Sequence, residues 1–489
     1  MTVKPNSLEL LFADFKPLIS EVQHRRVQAN SFRLTAASYA YGYSIDEAFI
    51  LEKRANNQQL NKLASVFGFG RFKRIYIKRS DLGIPFLSSS DILEVDPIPE
   101  ILSKANCPKW SQYQVYRGWI LISCSGTIGN VALVRQKWDG WSVSQHAIRI
   151  VPNEGYRGVL YTFFKLPWVK QVVVGLKSGS VIDEIYPEDL IKINVPALSE
   201  NCIRNLDEKT DSVLELRDSS DKLLGAAVAS LLNESGLPNL NDASPHGAKV
   251  NQPVVATWVR SSKFTVEDGF GNQYRLDAHY YNPTAELAIA NLKRCRSPVK
   301  PLRDVVENVF MGGRFKRNYV EADHGVPFLS GKNIAQIRPA DVKHLTKLQD
   351  SEIQPLLLKR GWTLITRSGT IGRTCFVWKN HEDYAASEHV LRVIPDESKI
   401  DAGYLYAFLS SSYGYEQILR YRHGSVIDEV TDKQIEHVLI PYPSPKDQET
   451  IGDMVREAYE KRAEAIRLED EAQAILMNEL TKVGIVKGV

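Results

Sequence analysis

The stretch Gly70-Arg71-Phe72-Lys73-Arg74 returns unchanged as Gly313-Arg314-Phe315-Lys316-Arg317. Five identical residues in a row are hard to obtain by chance, and a repeat missed here misassigns the whole fold. Reading outward, Ile84-Pro85-Phe86-Leu87-Ser88 is answered by Val326-Pro327-Phe328-Leu329-Ser330. Gly118-Trp119 and Ser125-Gly126-Thr127-Ile128-Gly129 are answered by Gly361-Trp362 and Ser368-Gly369-Thr370-Ile371-Gly372. Ser144-Gln145-His146 aligns with Ser387-Glu388-His389, and Gly179-Ser180-Val181-Ile182-Asp183-Glu184 returns as Gly424-Ser425-Val426-Ile427-Asp428-Glu429. Even Leu231-Leu232-Asn233-Glu234 has a counterpart in Leu476-Met477-Asn478-Glu479. The order is kept at an offset of about 245 residues, too long for a solenoid unit, so one domain-plus-helix module is used twice. The chain reads as a fused pseudo-dimer.

Each module starts mixed and β-rich. The runs Trp119-Ile120-Leu121-Ile122 and Ala147-Ile148-Arg149-Ile150-Val151, with Thr363-Leu364-Ile365-Thr366 and Val390-Leu391-Arg392-Val393-Ile394 in the second copy, are separated by Gly, Asn, Asp and Pro turn signals. One short helix is expected over Leu160 to Val174, and its twin over Gly403 to Tyr421. Each module then changes period. Ile203, Leu206, Val213, Leu216, Leu223, Ala227 and Leu231 are spaced as one helical stripe, and so are Ile451, Val455, Ala458, Ala465, Leu468, Ala472, Leu476 and Leu480. At about thirty residues each, roughly 45 Å long, these helices need a partner for a narrow apolar stripe. Packing on its own β domain would satisfy each of them, but pairing with the other copy better explains the duplication. The Asn-, Pro-, Gly- and Ser-rich segment from Ser235 to Pro253 reads as a linker.

Composition sets the outer limits. The 489 residues carry 61 Lys plus Arg against 58 Asp plus Glu, a formal charge of +3 that does not itself call for nucleic acid. That question passes to local clusters. Hydrophobic residues at 43% and charged residues at 24% match folded soluble proteins and exclude wholesale disorder. No apolar run approaches the ~20 residues of a membrane span, and Glu9, Asp14 and Glu21 interrupt any leader-like start, so a cytoplasmic protein is expected. The cysteines Cys107, Cys124, Cys202, Cys295 and Cys375 are odd in number with no two at thiolate-metal spacing, and are expected to be reduced thiols.

Three loops per module are candidates for recognition. Arg71, Lys73 and Arg74, followed by Lys78 and Arg79 and interleaved with Phe72 and Tyr76, form a basic loop; Arg314, Lys316 and Arg317 with Phe315 and Tyr319 form its twin. Such guanidinium and ammonium groups hold phosphates, and an Arg reads guanine bidentately; a solvated basic turn is the plainer reading. In Ser-Gly-Thr-Ile-Gly the glycines set a tight turn that leaves Ser125 and Thr127, and Ser368 and Thr370, near a loop tip. Arg367 before the second turn is a candidate base or phosphate donor, where the first copy has Cys124. Gly-Ser-Val-Ile-Asp-Glu supplies a second polar loop, expected beside the first, with Ser180 and Ser425, whose acidic Asp183 and Asp428 suit a helix cap or turn partner better than a phosphate.

Catalytic signatures are missing. Gly325 to Lys332 has the wrong glycine spacing for a phosphate loop and ends on Asn333, and Gly68-Phe69-Gly70 lacks a third glycine. No zinc-helix histidine pair, Gly-x-Ser-x-Gly elbow, or Asn-Pro-Pro-Tyr or Asp-Pro-Pro-Tyr amino-methylating motif occurs. His146 and His389 recur without a nearby Cys or Ser nucleophile and read as structural. No catalytic residue and no metal ligand is assigned.

The ordered pair of modules carrying Ser-Gly-Thr-Ile-Gly and Gly-Ser-Val-Ile-Asp, each followed by a proline-containing segment and a long helix, resembles the specificity (S) subunit of type I restriction-modification systems. Arg275-Leu276-Asp277-Ala278 with Tyr280-Tyr281-Asn282-Pro283 also resembles the start of a target-recognition domain of that family. The resemblance spans roughly residues 31 to 482. The first module departs from it at Arg33-Leu34-Thr35-Ala36 and in the segment after Pro196. The resemblance implies an α+β protein of two tandem β-rich target-recognition domains, their long helices paired as an antiparallel coiled coil. The domains run 1–197 and 273–443, the first long helix 198–234, the second with a C-terminal tail 444–489, and the linker 235–272. It implies a non-catalytic, anti-phage DNA reader for a bipartite duplex site. Two adenine methyltransferase subunits would dock on it and carry S-adenosylmethionine, which this chain would not bind itself, and a restriction-translocase subunit would complete the complex. A duplicated protein scaffold that binds no nucleic acid and a self-contained DNA-modifying enzyme are the competing readings. Charge reversal at Arg71, Lys73, Arg314 and Lys316 separates the first of these, and a methylation or cleavage assay on the chain alone the second.

Overall fold

The computed structural model describes residues 57–77, 80–107, 109–177, 183–240, 280–336 and 338–486. Most of the expected linker, the Arg275-Leu276-Asp277-Ala278 motif, Lys78, Arg79 and Ser180 lie outside them. Strands of the first module are β1 (Asn57–Gln59), β2 (Ala64–Phe67), β3 (Tyr76–Ile77), β4 (Gly83–Leu87), β5 (Glu100–Ser103), β6 (Ile120–Ser123), β7 (Val131–Leu133), β8 (Ser142–Val143), β9 (Ala147–Pro152) and β10 (Asn194–Pro196). Those of the second are β11 (Val299–Pro301), β12 (Val306–Met311), β13 (Tyr319–Val320), β14 (Gly325–Leu329), β15 (Lys343–Thr346), β16 (Thr363–Thr366), β17 (Thr374–Phe376), β18 (Ala385–Ala386), β19 (Val390–Pro395) and β20 (Leu439–Pro441).

The repeat holds strand for strand. The first module has four-stranded sheets in the orders β2-β9-β6-β7 and β3-β5-β4-β8 and a closing pair β1-β10; the second has β12-β19-β16-β17, β13-β15-β14-β18 and β11-β20. Pairing is antiparallel except for β4 with β8 and β14 with β18. The central strands are apolar without alternation because both of their faces are covered. Ile120 and Ile122 enter one core and Leu121 the opposite one, and Ile365 and Leu364 divide in the same way.

The single short helix expected in each module is two. Arg157–Lys165 is followed by Pro167–Gly175, because Pro167 forces Leu166 into an extended conformation (ψ 133°). Ala402–Ser410 is followed by Ser412–Arg420, where Ser411 is extended and its side chain caps the new helix at the Gly414 amide. Asn282 caps helix Pro283–Leu292 by accepting from the Thr284 amide at 3.0 Å, with Pro283 at its first position. The long helices run Glu200–Ser235 (36 residues) and Pro445–Lys482 (38 residues).

Tertiary packing divides the chain differently from its linear order. One unit holds residues up to Leu93, Ile98–Leu214 and Arg467 onward; the other holds Glu94–Pro97 and Glu215–Ile466. The boundary falls inside both long helices, so each unit owns half of each. In the first unit, Lys209 Nζ meets Glu471 at 2.8 Å and the Ser199 amide donates to Glu479 at 3.3 Å; in the second, Arg462 meets Asp221 at 3.4 Å. The helix segments therefore run antiparallel in the first unit and lie against each other in the second. They also join the β domains' cores: Cys202, Leu206, Ala472, Leu476 and Leu480 in the first unit, and Ala227, Leu231, Ile451, Val455 and Tyr459 in the second. The two ways of covering the stripe, on a β domain and on the other helix, are both used. Glu469 ties the second long helix to helix Arg157–Lys165, accepting from Tyr161 Oη and Lys165 Nζ, each at 2.5 Å.

One core position gives the second unit a pH dependence. Where the first module buries Trp138, the second buries His381, and burial pushes its imidazole down to about 4 from 6.5. Above pH 6.5 both the folded and the unfolded chain hold it neutral. Below that, the unfolded chain takes up a proton that the folded one refuses, so stability falls with pH until about pH 4. The total loss is about 3 kcal/mol. Denaturant melts of wild type and His381→Phe across this window should diverge by that amount, with the variant flatter; parallel curves would refute it.

Candidate nucleic-acid interface

Two of the three loops in each module lie together because they leave strands of one sheet, β2 and β6 in the first module and β12 and β16 in the second. The Gly-Arg-Phe-Lys-Arg loop joins β2 to β3, and β12 to β13; the Ser-Gly-Thr-Ile-Gly turn joins β6 to β7, and β16 to β17. Gly126 and Gly129 in the first turn have φ of +69° and +84°, and Gly369 and Gly372 repeat this at +72° and +85°. Side chains rarely adopt that backbone region, which is why the turn is written with glycines. Backbone bonds then clip the third loop beside the turn. Ser125 bridges Glu184 and the Ile185 amide donates to the Cys124 carbonyl at 2.9 Å; Ser368 bridges Glu429 and the Val430 amide donates to the Arg367 carbonyl at 2.9 Å.

Four cations project from these loops into solvent. Arg71 and Arg314 have side chains 73% and 71% exposed, and Lys73 and Lys316 are exposed beside them. Arg74 lies 5.5 Å from the Phe86 ring centroid, and Arg317 lies 4.9 Å from Phe328, so the aromatics hold the second arginine of each loop. The modules differ in the acids that face these loops. In the first, Glu184 is 3.7 Å from Arg71 and 3.9 Å from His146. In the second, Glu388 stands where the first has Gln145; it takes Arg317 in an ion pair and lies 3.8 Å from Arg314.

Arg367 is placed otherwise than expected. Its side chain is buried, donating from Nε to the Val430 carbonyl at 3.1 Å and from Nη2 to Glu429 at 2.5 Å. It fastens the third loop. In the first module the matching residue is Cys124, whose thiol is pushed up to about 11 by burial and then by the Glu184 carboxylate. Thr127, Thr370 and Ser425 are exposed at their loop tips. Asp183 and Asp428 cap no helix; each pairs with a cation six residues earlier, Lys177 at 2.6 Å and Arg422 at 4.0 Å.

Two features were not found by reading the sequence. His146 and His389 do have a serine neighbour: Ser125 Oγ is 2.6 Å from His146 Nδ1 and Ser368 Oγ is 2.7 Å from His389 Nδ1. Their equal separation along the chain in both copies was the available signal. The second feature is a buried arginine in each module. Arg149 donates to the carbonyls of Ser144 (3.0 Å), Ala147 (2.6 Å), Tyr113 (3.3 Å) and Val143; Arg392 donates to those of Ser387 (2.9 Å), Val390 (2.6 Å) and Ala386. Each guanidinium is wrapped by the loop that presents Gln145-His146 or Glu388-His389, and burial lowers both to about 10.

The two modules thus present the same basic, aromatic-backed loop. Residues 58–207 and again 297–469 match the type I restriction modification DNA specificity domain, well over half of the chain, and the protein belongs to that family with the domain present twice. Among solved structures it is similar to the S subunit of a type I restriction-modification system from M. genitalium, at 11% identity over 89% of this chain and 96% of that one, with a TM-score of 0.30. It is likewise similar to the HsdS subunit from Thermoanaerobacter tengcongensis, at 14% identity over 88% and 97%, with a TM-score of 0.26. No curated protein matches the sequence at a significant level. No helix among the described residues is long and apolar enough to cross a membrane.

Proposed function

We propose that each module reads one half of a bipartite duplex target and that the chain does no chemistry itself. The observation that carries this reading is the duplicated set of exposed cations, Arg71 with Lys73 and Arg314 with Lys316, in modules whose other two loops are clipped together at a glycine turn. A pseudo-twofold reader requires half-sites at a fixed separation, as dimeric readers do. The antiparallel helix halves offer an extended surface on which two adenine methyltransferase subunits, carrying S-adenosylmethionine, would dock in the cytoplasm, with a restriction-translocase subunit completing the assembly. The test is single-molecule sequencing of methylated adenines in host DNA, with and without this chain. A bipartite methylation motif with a constant gap, lost on deletion, is the expected result. Methylation unchanged by the deletion would overturn the reading.

A further inference from the structure

Beside the Ser368 turn of the second module stands a feature unsuited to phosphate. Val426 and Ile427 are consecutive, β-branched and 93% and 60% exposed, at the tip of Gly424-Ser425-Val426-Ile427-Asp428. The tip is held stiffly. His423 and Glu429 exchange both backbone hydrogen bonds, at 2.9 and 2.7 Å, and Arg422 faces Asp428 across the loop. Gly424 has φ of +144°, and a Cβ there would collide with the Ile427 carbonyl, so the sharp return depends on glycine. The loop is clipped to the Ser368 turn, and Arg367 locks its base through Glu429. A stiff apolar tip thus projects at the recognition face.

Repetition says what kind of work the tip does. Gly179-Ser180-Val181-Ile182-Asp183-Glu184 is the same six residues, although Val181 and Ile182 lie outside the described structure. Around it the modules diverge, with Cys124 against Arg367 at the base of the loop and Gln145 against Glu388. A tip kept unchanged while the residues that hold it change suits a task that is the same at both half-sites. Apolar side chains inserted between base steps unstack and kink a duplex with little regard to sequence. Chemistry on a base also requires that base to leave the stack, whichever half-site holds it.

We infer that Val426-Ile427 is a wedge that enters the base stack of the bound duplex, an inference that rests on the DNA reading proposed above. The full chain, with any methyltransferase that co-purifies, is used to select binders from a random-sequence duplex pool, and end-labelled binders report bending by energy transfer. Wild type should bend the duplex. Val426→Ser/Ile427→Ser should cut that bend by about half, the Val181-Ile182 tip of the first module being intact, and weaken binding about tenfold, whereas Val426→Leu/Ile427→Leu should keep both. Both positions are exposed, so folding is not at stake. Binding without a bend, or a bend left undiminished by the serine variant, overturns the wedge alone. A serine variant that keeps bend and affinity but sheds a co-purifying protein also overturns it, and marks the tip as a protein-docking site. If wild type selects no duplex at all, the wedge and the DNA reading fall together.

Discussion

Reversing Arg71, Lys73, Arg314 and Lys316 to Glu together should weaken duplex binding by about a thousandfold or more at moderate salt. All four side chains are exposed and support no core, so the folded state should be untouched. Each cation that neutralises a phosphate releases a counterion on binding, and taking one such cation away flattens the dependence of log affinity on log salt by about 0.9. Taking away all four should lower that slope by between about 3 and 4. A control reversal at Lys222, on the first long helix, should change neither. Fluorescence anisotropy across a salt series decides it. A duplicated protein scaffold would be indifferent to all five reversals.

Arg392→Met should unfold or nearly unfold the second module while leaving the first standing. The guanidinium is fully buried and its bonds to Ala386, Ser387 and Val390 carbonyls replace the water those groups would otherwise need. A buried acceptor left without a partner costs about 1–3 kcal/mol, so losing this set costs several, a large part of a domain's usual ~5–15 kcal/mol. Methionine fills much of the volume, which keeps cavity formation from dominating the loss. The same residue shapes the loop bearing Glu388 and His389, so any folded remnant should also misplace Arg317. Limited proteolysis with fragment mapping checks it: cleavage should concentrate within 280–466. Equal resistance in variant and wild type would refute the staple.

How much of this was legible in the residues varies by element. The repeat was fully legible, because identity over several ordered motifs does not depend on structure. The clipping of Gly-Ser-Val-Ile-Asp-Glu against Ser-Gly-Thr-Ile-Gly was anticipated as adjacency, though the backbone bridges were not. The two-helix break was written in Pro167 and in Ser411, each a local signal outweighed by apolar periodicity. Arg149 and Arg392 sat in plain view inside apolar strand runs, and a charge recurring mid-strand in both copies was the missed cue. What sequence order hid was non-local: that Arg367 would be consumed by Glu429, that the histidines would meet serines, and that the unit boundary would cross both helices.

That last feature bears on how the protein comes into being. Ala472, Leu476, Leu480, Ile485 and Val486 lie in the same core as Leu60, Ile120 and Phe163. A ribosome delivers the chain from its amino end, so the β strands of the first module emerge hundreds of residues before the helix that seals them. The module translated first is the one finished last, and the newborn polypeptide carries an open apolar flank through most of its synthesis.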